Sequence, residues 1–157
     1  MLFSIFTPHI EIINDDKIRD FTVESLSKAP EFYSNISKYI EETDLAVQYA
    51  TTFLDVLDVE DYIRDCVISA VLIQGITKFK LNDEDDIVED IMSTLSVRQT
   101  VISLMPTVGS DTFDNILRLV ESSRGYNSPI PQVMPSLEDP VYIWILPFAN
   151  QLAKERA

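Results

Sequence analysis

The sequence predicts an all-α fold, a single bundle of roughly seven or eight helices. Three observations carry that expectation. The 157 residues contain three glycines, too few for a turn-rich β protein. Apolar residues recur at three-four spacing through most of the chain, the period of a helix with one buried face. The run Cys66 to Ile73, CVISAVLI, is apolar on nearly every side apart from Ser69. A helix of that kind belongs in the middle of a domain, with neighbours on several faces.

The elements follow in order along one domain spanning 1–157. Residues 1–14 read as an irregular apolar segment. Asp15 or Asp16 caps a helix through Phe21, Val23 and Leu26, and Ala29-Pro30 breaks it. Pro30 suits the first turn of a second helix carrying Phe32, Tyr33, Ile36 and Tyr39-Ile40. Thr43 caps a third, where Ala46, Tyr49, Ala50, Phe53 and Leu57 share one face. Asp58, with Asp61 three residues on, starts the central helix, and Gln74-Gly75 ends it. Leu81 to Asp90 carries six acids in ten residues, Asn82 or Asp83 opens a helix through Ile87 and Ile91, and a helix or pair of helices continues to Leu104. Pro106 and Gly109 make a turn. Ser110 or Asp111 opens the next helix, with Phe113, Ile116, Leu117 and Val120 inward. Residues 125–139 form a proline-rich loop ordered against the body. Ser136 or Asp139 caps the last helix, and Pro147 within it is expected to kink it by removing a ladder hydrogen bond.

Composition narrows the function classes. Apolar content of 46% with 24% charged residues is that of a globular protein. The single cysteine, Cys66, cannot form an intrachain disulfide, which fits a reducing cytoplasm. It lies in the most apolar run and reads as a core residue, not a nucleophile. The opening MLFSIF lacks a basic start, and no stretch approaches the roughly 18 apolar residues of a membrane span, so neither signal peptide nor membrane association is expected. Net charge is −14, from 26 acids against 12 bases. Such a surface repels phosphate backbones and anionic membranes and favours a protein partner with a basic surface.

Several stretches, in order, resemble the HD-domain metal-dependent phosphohydrolases, in the branch found in tailed phages and bacteria. Arg19-Asp20-Phe21-Thr22 through Lys28-Ala29-Pro30-Glu31 is similar to that branch's opening. Leu45 to Thr52 resembles the helix of the first histidine. Leu72-Ile73-Gln74-Gly75-Ile76-Thr77-Lys78 stands where the family reads approximately L-L-H-D-I-G-K. Ile116 to Gly125, ILRLVESSRG, resembles I-x-R-L-I-E-S-H-M-G, and Leu146 to Ala153 resembles the closing H-L-A-D-Y-L-A helix. Asp90 stands about where another histidine occurs.

The resemblance implies an HD-like bundle in which histidines and aspartates hold divalent metal and activate water against a phosphoester. The family's ligand positions are occupied here by Gln48, Gln74, Gly75, Ser123 and Asn150, all neutral. Amide oxygens bind transition metals weakly beside imidazole or carboxylate. The resemblance therefore implies a pseudoenzyme with no catalytic residue, no metal and no cofactor. The lone histidine, His9, lies outside every matching stretch and reads as a surface or packing residue.

Two function classes stand open. The first is a cytoplasmic protein-interaction module, phage-encoded and acting on a host protein, whose surface is the acidic run Asp83, Glu84, Asp85, Asp86, Glu89 and Asp90. A second acidic group, Asp55, Asp58, Glu60 and Asp61, precedes the central helix, and Leu2, Phe3, Ile5 and Phe6 are candidate apolar anchors. In the second class the vestigial cleft binds a nucleotide or small anion without hydrolysing it. Gln48, Gln74 and Asn150 would read a base or ribose there, and Lys78 and Arg124 would flank the cleft. A third reading is a working phosphohydrolase with substituted ligands. A metal site built from Asp83, Asp85, Asp86 and Asp90 lacks EF-hand spacing, and a solvated helix face is the simpler account of those acids.

Overall fold

The computed structural model describes residues 2–29, 36–77, 96–125 and 134–156, and among them every regular element is helical. The chain is all-α, as its spacing predicts. A 3-10 turn, Leu2–Phe6, leads into α1 (Thr7–Glu11), α2 (Asp16–Leu26), α3 (Ile36–Leu57) and α4 (Asp61–Ile73). Helix α5 covers 96–101, followed by a 3-10 turn Ile102–Leu104, α6 (Met105–Val108) and α7 (Ser110–Glu121). A last 3-10 turn, Val141–Trp144, runs into α8 (Ile145–Arg156).

Helix α4 is the axis of the bundle, touching α2, α3, α7 and α8. From Val67 to Ile73 its side chains are fully buried. Each branched aliphatic side chain so enclosed contributes roughly 1.5–3 kcal/mol. Its polar exceptions are all satisfied. The Ser69 hydroxyl lies 2.7 Å from Thr22 Oγ1. Thr22 gives its own proton to the Ile18 carbonyl, so Ser69 is the donor of that pair. Asp65, also buried, accepts the amide N–H groups of Asn14 (3.0 Å) and Asp15 (2.9 Å) on its two oxygens. Arg19 donates to the Ile13 carbonyl from Nε and Nη2, and Asp15 caps α2 by accepting the Ile18 N–H at 2.9 Å. The start of α2 is thus bolted to the centre of the fold.

Helix α7 supplies Phe113, Ile116, Leu117, Leu119 and Val120 to the same core. Phe113 meets Phe21 edge-on at 6.0 Å. Above that ring, at 5.7 Å, the Arg98 guanidinium grips buried Glu121 through Nε (2.9 Å) and Nη2 (2.8 Å) and donates to Asp114 through Nη1 (2.9 Å). These acceptors raise the Arg98 pKa further above its already high value, the Glu121 hydrogen bonds most.

Several local expectations are corrected. The N-terminal segment is helical, not irregular, because Phe6 docks into the core at 1% exposure with its ring edge-on to Tyr39. No glycine or proline interrupts residues 36–57, so one helix of 22 residues replaces two, and Thr43 is a buried mid-helix residue instead of a cap. Asp58 does not cap α4. It ends α3 in the left-handed conformation (φ 52°), its N–H bonded to the Leu54 carbonyl, and Glu60 stands at the N-cap without a side-chain bond. Asp139 and Ser136 close a turn on each other ahead of the last 3-10 segment, and Pro140 takes its N-cap. Pro147 then falls in the first turn of α8, where its missing N–H has no ladder role. Phe32, Tyr33 and the helix proposed from residue 82 lie outside the described residues.

Arg98→Met should destabilise the fold by roughly 3 kcal/mol, because it strands the buried Glu121 carboxylate. Arg98→Met combined with Glu121→Leu should recover most of that loss. Urea midpoints of the two variants check it; equal losses would remove the stranded charge as the cause.

Candidate functional site

The structure brings two of the five ligand-position residues together. Gln74 is the C-cap of α4, and Asn150 sits in the second turn of α8. Gln74 Nε2 donates to Asn150 Oδ1 at 2.9 Å, and Asn150 Nδ2 donates back to Gln74 Oε1 at 2.8 Å. Both side chains are half-buried. Each amide therefore spends its inward donor and acceptor on the other, and the pair closes without water or a ligand.

Gly75, the next residue, is buried, and a Cβ built there would overlap the Tyr39 ring from α3. Glycine is required by that ring and not by φ. Gln48 faces its own helix instead: it is exposed and donates to Asp44 Oδ2 at 2.8 Å. The other Asp44 oxygen lies 2.7 Å from His9 Nε2, so His9 is a packing residue of the α1–α3 contact. Ser123 is half-buried in the turn after α7, its amide bonded to the Val120 carbonyl. Arg124 is half-buried in the same turn. Lys78 and the acidic run Asp83, Glu84, Asp85, Asp86, Glu89 and Asp90 lie outside the described residues.

The chemistry open to this arrangement is narrow. Two neutral amides and an aromatic ring neither ionise near pH 7 nor ligate a transition metal strongly. Among the described residues no three His, Cys, Asp or Glu side chains are grouped to hold a metal ion. No described helix is long and apolar enough to cross a membrane.

A shallow pocket opens toward the other end of α4, between Tyr62, Ile63 and Cys66 of α4, Asn115, Arg118 and Leu119 of α7, and Tyr142 and Ile143. The Tyr62 hydroxyl already accepts from Asn115 Nδ2 and pairs with Thr112 Oγ1, both at 2.9 Å. Arg118 Nη2 donates to Asp139 at 3.1 Å. The Asp139 carboxyl is held below its usual range, first by the Ser136 amide and then by Arg118. Burial pushes the Cys66 thiol up to about 12, against a smaller opposing hydrogen bond from Tyr62. A thiol so protonated is no nucleophile.

The surface holds what sequence reasoning missed. Of the apolar anchors proposed at the N-terminus, Phe6 is in the core and Ile5 is exposed. Exposed apolar side chains stand also toward the other end of the chain, at Leu137 (90% exposed), Val141 (63%) and Phe148 (56%). Trp144 stacks on Phe148 with centroids 6.0 Å apart and planes at 25°. Its indole donates to the Ser136 carbonyl at 3.1 Å. The spacing of Val141, Trp144 and Phe148 was visible, but Ile143, Ile145, Leu146, Ala149 and Ala153 form a competing face, and it is the latter that is buried. The acids Asp55, Asp58, Glu60 and Asp61 are exposed around the α3–α4 corner beside Val56. No family model, curated protein or solved structure matches this chain.

Gly75→Ala should destabilise by about 1–3 kcal/mol through overlap with Tyr39. In a Tyr39→Ala background the same change should be neutral or slightly stabilising, since alanine restricts the unfolded chain; denaturation of the four proteins reads the difference. For Cys66, the native thiol should resist iodoacetamide at pH 8–9 and react stoichiometrically in urea. Sign follows from the raised value: the thiol's contribution to stability is fully present below about 9 and is lost as pH climbs toward about 12. Rapid native labelling at pH 8 would contradict this burial.

Proposed function

We propose that this chain is a non-catalytic protein-binding module on an HD-like helical scaffold, recruiting a partner with a basic surface. The observation that carries the reading is the reciprocal amide pair of Gln74 and Asn150 beside the Tyr39 ring at Gly75. Two of the positions that the resemblance assigns to metal ligands, Gln74 and Asn150, bond to each other, which leaves the protein's surface to carry function. With a net charge of −14, that surface speeds encounter with cations and repels nucleic acid. The resemblance to tailed-phage proteins extends the proposal to a phage-encoded protein acting on a host component in the cytoplasm. The nucleotide-binding alternative has less to rest on, because Gln74 and Asn150 are engaged with each other and Gln48 with Asp44.

Two measurements test this. Titration with manganese, nickel and zinc should show no stoichiometric tight binding, and nucleotides should not be hydrolysed in their presence; chelator-sensitive turnover would overturn the non-catalytic reading. Capture from lysate should weaken when Asp83, Asp85 and Asp86 become Asn, and when salt shortens the Debye length from about 10 Å at 0.1 M to about 3 Å at 1 M. Retention indifferent to both would remove charge from the account.

A further inference from the structure

We infer that residues 2–11 form a detachable strap whose docking holds the Tyr39 ring in the space beside Gly75, so that release of the amino terminus vacates that space. A 3-10 turn of five residues and an α-helix of five are each too short to persist alone in water, so docking is what orders them. Among the strap's described side chains, Phe6 and Ile10 enter the core, and His9 Nε2 lies 2.7 Å from Asp44 Oδ1 on α3. Ile5, Thr7, Pro8 and Glu11 are exposed. Past Ile12 the chain is pinned. Arg19 donates to the Ile13 carbonyl from Nε (3.1 Å) and Nη2 (2.6 Å), and Asp65 accepts the Asn14 and Asp15 N–H groups. A segment with few buried side chains opens before the body it lies on, and these pins place the pivot at Ile12.

Two rings carry the link inward. Phe6 meets Tyr39 edge-on, with centroids 6.2 Å apart and planes at 75°. The edge of the Tyr39 ring in turn lies where a Cβ on Gly75 would stand. Tyr39 thus touches both the strap and the residue next to the Gln74–Asn150 pair. Withdrawing Phe6 leaves an apolar void against that ring, and packed side chains relax toward a void. The ring then moves away from Gly75, and opening of the strap becomes opening between α3 and the end of α4. Coupled equilibria are reciprocal, so pressure on Tyr39 from residue 75 expels Phe6 and loosens the strap.

Hydrogen exchange followed by mass spectrometry on the full chain reads the strap. In the wild type, amides of 4–11 should exchange at least about tenfold faster than those of 66–73, because the strap opens without global unfolding. Equal protection of the two stretches would overturn a detachable strap. Gly75→Ala should speed 4–11 about fivefold or more, whereas Ile116→Val, an internal change on α7, should leave that stretch unmoved. No acceleration in Gly75→Ala, or the same acceleration in both variants, would overturn the link through Tyr39. Urea midpoints read the opposite direction. Phe6→Leu keeps an apolar side chain but removes the ring, and in its background Gly75→Ala should lose less than about half of the midpoint it loses in the wild type. Strictly additive losses would mean that Phe6 does not hold Tyr39 in place, and would overturn control of Gly75 by the strap.

Discussion

The whole molecule follows from the need to cover α4 on every side. A helix with no polar face cannot lie on a surface, so α2, α3, α7 and α8 are drawn around it. Enclosure then makes every polar atom on α4 costly unless it finds a partner. That demand explains why Thr22 sits opposite Ser69 and why a backbone turn fifty residues upstream is held to Asp65. The same enclosure pushes the buried Cys66 thiol up to about 12. Two polar contacts on α4, Ser69 with Thr22 and Asp65 with the Asn14–Asp15 turn, hold α2 in place against it.

That enclosure ends at Gln74, the C-cap of α4. At the C-terminal end of α4 the chain changes from aliphatic to amide, and Gln74 meets Asn150 in a pair that carries no charge. The tyrosine from α3 fills the space that a side chain at residue 75 would use. Among the described residues Val56, Leu137, Val141 and Phe148 are exposed apolar side chains on a chain of net charge −14.

The fold class was legible because periodicity and the shortage of glycine are read directly from residue types. The interior face of α7 was legible for the same reason: Phe113, Ile116, Leu117 and Val120 are all buried. Boundaries were less so. Thr43 carries the chemistry of a cap, yet 22 residues without glycine or proline run through it, and burial of Ala46, Val47, Ala50 and Leu54 overrides the local signal. Asp58 likewise has a cap's side chain but serves as a terminator, tolerated in the left-handed region because its short polar side chain permits it. The amide pair could not be foreseen, since 76 residues separate its members and only packing of α8 against α3 and α4 makes them neighbours. The exposure of Val141 and Phe148 was hidden by ambiguity: two apolar faces compete on one helix, and sequence alone does not say which one meets the core.

The clasp between Asp65 and the turn at Asn14 and Asp15 has a consequence for biosynthesis. The two sides of that contact are fifty residues apart. At about 5–20 residues per second, the ribosome takes roughly 3–10 s to make the acceptor after the donors have been made. During that interval Phe6, Ile10 and Ile13, all buried in the finished protein, lack most of the core cluster that they join. The amino terminus therefore waits as a sticky, unanchored segment until the middle of the chain emerges. It is in those seconds, more than at any later time, that the nascent polypeptide invites chaperones.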